Sequence, residues 1–371
     1  MDGLREGIEN LLSHCAGLVP GQSLLILTED PEAGHYDPRL APAVASVADA
    51  MGLEVRVMDL PFSPAAEPPP AAAMDAIRAA DRALFLSRRG DQLRFDTVLA
   101  EASPVMCYAL DRAMMASGFG RADHRAFRAL LDCLNRALAG ARHIRVTCPL
   151  GTDFEGPGAR FPVTAGEVTV RRFPLSVFQP VPADDFAGTI AVAGFLTGTG
   201  RTYYQPYDLP LSDVLLIRFA GDRITGFEGP DAAAASAHFD RVGGGLGIAA
   251  RHVHSWHAGI HPGCAYDREA GDDVARWGCG AFGNPRLLHF HTCGAYAPGE
   301  ISLNVVDPTI RLDGVPVWDA GRLYPDRVPG GAAILARFPC AAALFADPAR
   351  AIGLAPWGRL SATASGQAKP A

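Results

Sequence analysis

The sequence predicts an α/β N-terminal domain built on a parallel sheet, followed by a mainly β (α+β) C-terminal domain that carries the chemistry. Three observations lead there. Short continuous apolar runs alternate with helical stretches up to about residue 145. Beyond it the runs become short, alternating and rich in Val, Ile and Thr, set among frequent Gly and Pro. Six of the eleven histidines fall in the window from His252 to His291.

The N-terminal elements follow in order. Leu4, Ile8, Leu11, Leu12 and Cys15 have helical spacing, and Pro20-Gly21 ends that helix. Ser23 to Thr28 is a buried strand, because a strand covered on both faces is apolar throughout. Leu40 to Met51 is a helix closed by Gly52, Glu54 to Met58 a strand, Met74 to Ala80 a helix and Arg82 to Ser87 a third strand. The first strand–helix turn lacks GxGxxG, so no dinucleotide site is assigned. Ala122 to Ala141 is again helical.

In the second domain, "GEVTVRRF", "GTIAVAGFL", "HFHTCG" and "EISLNVV" are strands. "RFAGDRITGFEG" and "IRLDGVPVWDAG" are hairpins around Gly-Asp and Asp-Gly turns. One helix runs from about Asp231 to Val242, and another from Ala332 to Phe345 with a break at Pro339. The expected domains are 1–145 and 146–360, with a disordered tail at 361–371, where the composition turns small and polar.

Bulk properties narrow the function. A chain of 371 residues is long for one core, which favours two domains. A net charge of −7 argues against a nucleic-acid partner, since phosphate contacts need a basic face. No run is long and apolar enough for a membrane span, and the N-terminus does not read as a signal peptide, so a cytoplasmic location is expected. The eight cysteines are scattered without a CxxC, which fits buried thiols rather than a zinc knuckle. Cys293 sits beside His291, but nothing in the sequence marks it as a low-pKa nucleophile.

The histidines carry the chemical signal. Side chains alternate along a strand, so His289 and His291 share one face, and Glu300, Ser302 and Asn304 share another. If these two strands pair antiparallel, the histidines and Glu300 can converge into a two-histidine, one-carboxylate metal site. "RHVHSWHAGIHPG" adds candidates. His252 and His254 share a face if it is extended, and His254 and His257 if it is helical. One of these is a further ligand or a general base. Histidines on a surface strand or capping a turn are the plainer alternative. Glu167, after a glycine in "FPVTAGEV", reads either as an exposed strand-start carboxylate or as a metal ligand or base.

Taken together and in order, "IENLLSHCAGLVPGQSLLILTED", the PPP loop, "GTDF", "FPVTAGEV", "GGGLGIAARHVHSWHAGIHPG" and "DPTIRLDG" resemble a superfamily. It contains aminopeptidase T-type metallo-aminopeptidases and 2,5-dihydroxypyridine 5,6-dioxygenases. The resemblance runs, with gaps, from about residue 5 to 325. It implies an N-terminal α/β domain, a metal-holding β-rich domain and a homo-oligomer. It also implies a two-metal site for the peptidases, and one Fe(II) on two His and one Asp for the dioxygenases. Glu167 falls on a peptidase ligand, and His254 or His257 on the first iron histidine. Counting back from Asp313-Gly314, the family's His-x-Asp pair falls on Glu300 and Ser302. His289 and His291 then stand in for what is missing.

The expectation is a metal-dependent enzyme on a small polar or hydroxylated (hetero)aromatic metabolite. His254, His257 and Glu167 serve catalysis, and His289, His291, Glu300 and His254 bind metal, with Fe(II) favoured over Zn or Mn. A metal-dependent amide or peptide hydrolase is the alternative, and a metal-free binding or biosynthetic scaffold is a third.

Overall fold

The computed structural model describes residues 2–94, 96–160, 169–199, 202–292 and 301–354. Glu167, Cys293, Glu300 and the tail at 361–371 lie outside the described residues. The chain divides into two compact units: 1–127 with 164–175 and 200–203, and 128–163 with 176–199 and 204–371.

In the first unit, five parallel strands stand in the order Glu54–Asp59, Ser23–Thr28, Arg82–Leu86, Val105–Cys107, Arg171–Phe173. The central strands are the apolar runs read from sequence, and Leu24 to Leu27 are all buried. Helices Leu40–Ala50 and Ala71–Ala79 follow the first two strands in the chain and bury Val44, Ala48 and Ile77. Two local readings differ. The first helix is α-helical only over Asp2–Glu9 and continues as a π-helix at Asn10–Cys15, where Asn10 donates to the carbonyls of Gly120 and Ala122. The Arg171–Phe173 end of "GEVTVRRF" joins the parallel sheet rather than the β-rich unit, because its partner is Val105–Cys107.

The second unit holds two antiparallel sheets. One has eight strands, in the order Arg223–Glu228, Leu215–Ala220, Ala187–Val192, Asp153–Gly156, Ile144–Thr147, Thr309–Leu312, Val315–Asp319, Arg322–Leu323. Both expected hairpins are in it. At the Asp313-Gly314 turn both residues have positive φ, 49° and 88°, the backbone that suits a tight hairpin and favours Asp-Gly. The expected terminal helix is split by Pro339 into Gly331–Arg337 and Pro339–Ala346.

The other sheet has six strands, in the order Asp208–Pro210, Phe195–Gly198, Ile301–Val306, Leu287–Thr292, Ser255–Ala258, Val181–Pro182. Trp256, Phe290 and Leu303 are register partners and form one apolar face. Phe154 of the eight-stranded sheet joins that face, with ring centroids 5.0 Å from Phe290 and 5.6 Å from Trp256. Phe186 and Phe219 complete the cluster. Fully burying each such ring contributes about 1.5–3 kcal/mol. This packing commits the alternate residues of the same strands to the opposite face. Among the described residues no helix is long and apolar enough to cross a membrane.

Candidate metal centre

The face opposite Trp256 and Phe290 is polar although buried. Across three strands, His257 pairs with His289 and His289 with Asn304. In the next row Ser255 pairs with His291, His291 with Ser302, and Ser302 with Thr197. Period-two alternation puts all seven side chains on one face. His257, His289 and His291 each offer a ring nitrogen, and these lie within 4.8 Å of one another. The three side chains are 4, 4 and 9 % exposed, so water screens them little.

The surroundings orient each ring. The Phe178 carbonyl lies 3.0 Å from His257 Nδ1. A carbonyl only accepts, so Nδ1 carries the proton and neutral His257 presents the Nε2 lone pair. That Nε2 stands 2.5 Å from His289 Nε2. The His289 ring is stacked on Phe282, centroids 4.1 Å apart and planes 20° apart. His291 Nδ1 is 3.0 Å from Ser255 Oγ, which leaves its Nε2 for the shared space. A ring held through one nitrogen while the other faces a common point is the arrangement that metal-ligating histidines use.

The donor set therefore suits a divalent metal ion. Three neutral imidazoles in a buried site are among the ligand sets of catalytic zinc, and imidazole also suits iron.

His254 lies outside the trio. The Ser255–Ala258 segment is extended, so Ser255, not His254, shares a face with His257. His254 instead meets Ser255 Oγ through Nδ1 at 2.9 Å. Burial, reinforced by the neighbouring His252 and opposed by Asp184, holds its pKa below the ordinary histidine value. His252 sits by Asp222, Nε2 to Oδ2 3.1 Å, with Asp184 close by, in a more exposed group. His261 is buried elsewhere, and its Nδ1 accepts from the Gly263 amide at 3.2 Å.

Sequence reading had not singled out Ser255, the Phe178 carbonyl or Phe282. Ser255 was accessible through its two-residue spacing from His257. The other two come from distant segments and leave no local trace.

No family model matches the chain, and no curated protein matches it in sequence. Solved structures do. The structure of 2,5-dihydroxypyridine dioxygenase from Pseudomonas putida KT2440 aligns at TM-score 0.60 and 18 % identity, over 86 % of this chain and 96 % of that one. Wild-type AmpT from Thermus thermophilus aligns at TM-score 0.51 and 11 % identity, over 87 % and 99 %. Both groups named by the sequence resemblance are represented, and the chain shares its fold with the dioxygenase and with AmpT.

Proposed function

We propose that the protein is a mononuclear metal enzyme that cleaves a small hydroxylated aromatic or heteroaromatic ring with dioxygen, with Fe(II) held by His257, His289 and His291. The single observation that carries this is the convergence of three buried imidazole nitrogens within 4.8 Å on one sheet face. The fold likeness to a 2,5-dihydroxypyridine dioxygenase supports the substrate class. The pair His289-x-His291 also has the spacing of the His-x-Asp pair that the sequence resemblance carries. We assign that pair here rather than to Glu300 and Ser302. Glu167 and Glu300 remain proposed as further carboxylates of the site.

A bound Fe(II) supplies a Lewis-acidic, redox-active centre for a hydroxylated ring and O2. The protein's own groups orient the reactants. Phe178 holds His257 in the ligating tautomer, and the Ser255 hydroxyl orients the His291 ring through its Nδ1. Phe282 backs His289 with a flat apolar wall. Asn304, paired with His289 across the strands, is 1 % exposed, and its Nδ2 bonds to no group among the described residues. We assign that amide as donor to a substrate oxygen, a contact that selects against rings lacking the oxygen.

A second reading is favoured by the all-nitrogen donor set. Zinc held by His257, His289 and His291 would supply Lewis-acid chemistry suited to amide hydrolysis, and the likeness to AmpT agrees with it. A small-molecule substrate, no nucleic-acid or membrane partner, a homo-oligomer and a cytoplasmic location complete the proposal.

Elemental analysis of untagged protein tests the centre. About one equivalent of metal is expected, falling at least tenfold in His257→Ala and His289→Ala. Metal content unchanged in both variants sinks both readings. Oxygen uptake with 2,5-dihydroxypyridine, against release of amine from aminoacyl amides, separates them.

A further inference from the structure

We propose that a cavity beside the paired ends of strands Leu287–Thr292 and Ile301–Val306 binds a small dianionic oxyanion, phosphate or the phosphate group of a monoester, with Arg322 and Arg350 as its cationic walls. The cavity has a volume of about 110 Å³. It is lined by residues of the second unit alone, among them Arg286, Asp307, Arg322, Phe345 and Arg350. One water needs roughly 10–15 Å³ of such space, so a phosphate-sized group fits. No residue of the metal centre lines it, and the inference does not depend on a metal.

Charge decides the ligand. Three guanidiniums and one carboxylate stand in the wall. The carboxylate is already engaged, since the two oxygens of Asp307 accept from Nε and Nη2 of Arg286 at 2.6 and 2.7 Å. Arg286 Nη1 donates to the Arg350 carbonyl at 2.5 Å, which uses its last nitrogen. That pair is neutral and saturated. Arg322 and Arg350 form no ion pair among the described residues. The cavity therefore keeps two uncompensated positive charges, which a dianion balances and a monoanion does not.

Arg322 is built into the wall. Ala320 and Gly321 form a two-residue turn with φ of 47° and 76°, and Arg322 opens the returning strand opposite Asp319. A side chain at Gly321 would run into Asp307. Arg322 Nη2 donates to the Phe345 and Ala346 carbonyls at 3.1 and 3.2 Å, which fixes the group against the end of helix Pro339–Ala346. Its Cζ lies 5.2 Å from the Tyr324 ring centroid. Capping that helix accounts for one nitrogen of the three. Nε–H is buried and bonds to no group among the described residues. A buried donor left unmade costs free energy that an incoming acceptor recovers. The planar fork of arginine suits a phosphate oxygen pair, and such charge-assisted bonds are the strong ones.

The test is calorimetric titration of untagged full-length protein with sodium phosphate at pH 7.5 and low salt, with methyl phosphate and acetate as companion ligands. Phosphate is expected to bind with a Kd below about 1 mM and at least about tenfold tighter than acetate. Arg322→Gln, whose amide can still donate to the helix carbonyls, is expected to weaken phosphate about tenfold or more, and so is Arg350→Gln. His289→Ala is expected to bind phosphate as the wild type does. Methyl phosphate binding as tightly as phosphate assigns a monoester, and weaker binding assigns the free ion; both support the site. Absence of phosphate binding, acetate equal to phosphate, or affinity unchanged in both arginine variants overturns it. So does binding lost in His289→Ala, which places the phosphate at the histidines. If Arg322→Gln does not fold, Arg350→Gln decides, because that side chain is exposed.

Discussion

His257 and His289 face each other across two antiparallel strands with their Nε2 atoms 2.5 Å apart. Two neutral imidazole nitrogens approach so closely with a proton shared between them. The Phe178 carbonyl fixes His257 Nε2 as the lone pair, so in the metal-free protein His289 supplies the proton. His289→Gln keeps an N–H donor for that contact but ligates metal poorly. It is expected to unfold within a few degrees of the wild type while metal content falls at least tenfold. His289→Ala removes the donor and is expected to lose about 1–3 kcal/mol as well. Thermal unfolding beside elemental analysis checks both. Equal metal in wild type and Gln variant refutes the assignment.

Asn304 gives a prediction about substrate. Its Oδ1 accepts from the Ser302 hydroxyl at 3.2 Å, which turns Nδ2 away from Ser302. Asn304→Leu keeps the size and removes the donor. Affinity for 2,5-dihydroxypyridine is expected to drop tenfold or more, with metal content unchanged. Binding of 3-hydroxypyridine, which lacks one oxygen, should drop less. Equal losses for both compounds, measured by calorimetry on the metal-loaded protein, speak against a direct hydrogen bond.

Arg286 and Asp307 form a buried bidentate ion pair at 2.6 and 2.7 Å, with side chains 8 and 4 % exposed. Removing one partner strands the other charge. Asp307→Ala is therefore expected to cost about 3–5 kcal/mol in urea unfolding. Asp307 also has φ of 50°, a conformation asparagine tolerates better than alanine, so Asp307→Asn should be the milder change. A cost below about 1 kcal/mol for the alanine variant contradicts this account.

His238 predicts a pH dependence. Burial first, and then the Arg241 guanidinium 2.8 Å from Nδ1, push its pKa down from 6.5 to about 4. Between these values the unfolded chain binds more protons than the folded one. Stability from this group is thus fully present above pH 6.5 and is lost as pH falls towards 4. The loss is on the order of 1–3 kcal/mol. Urea midpoints at pH 7.5 and 4.5 measure it, and His238→Gln should flatten the difference. A variant with the wild-type slope would exclude His238 as the cause.

The sequence by itself determined the strand–helix alternation of the first unit, both tight hairpins and the break at Pro339. These depend on local propensity and turn chemistry, so a short window suffices. It also determined that His289 and His291 share a face, because parity is a property of one strand. Tertiary structure alone decided which strands lie side by side. That choice pairs His257 with His289 and brings Ser255 to His291, and it sends Arg171–Phe173 into the parallel sheet. It also left His254 one position off the face that His257, His289 and His291 share. The physical reason is that register is set by burial of Trp256, Phe290 and Phe154 between two sheets. That apolar packing fixes the far side of each strand, and the histidines converge as its consequence.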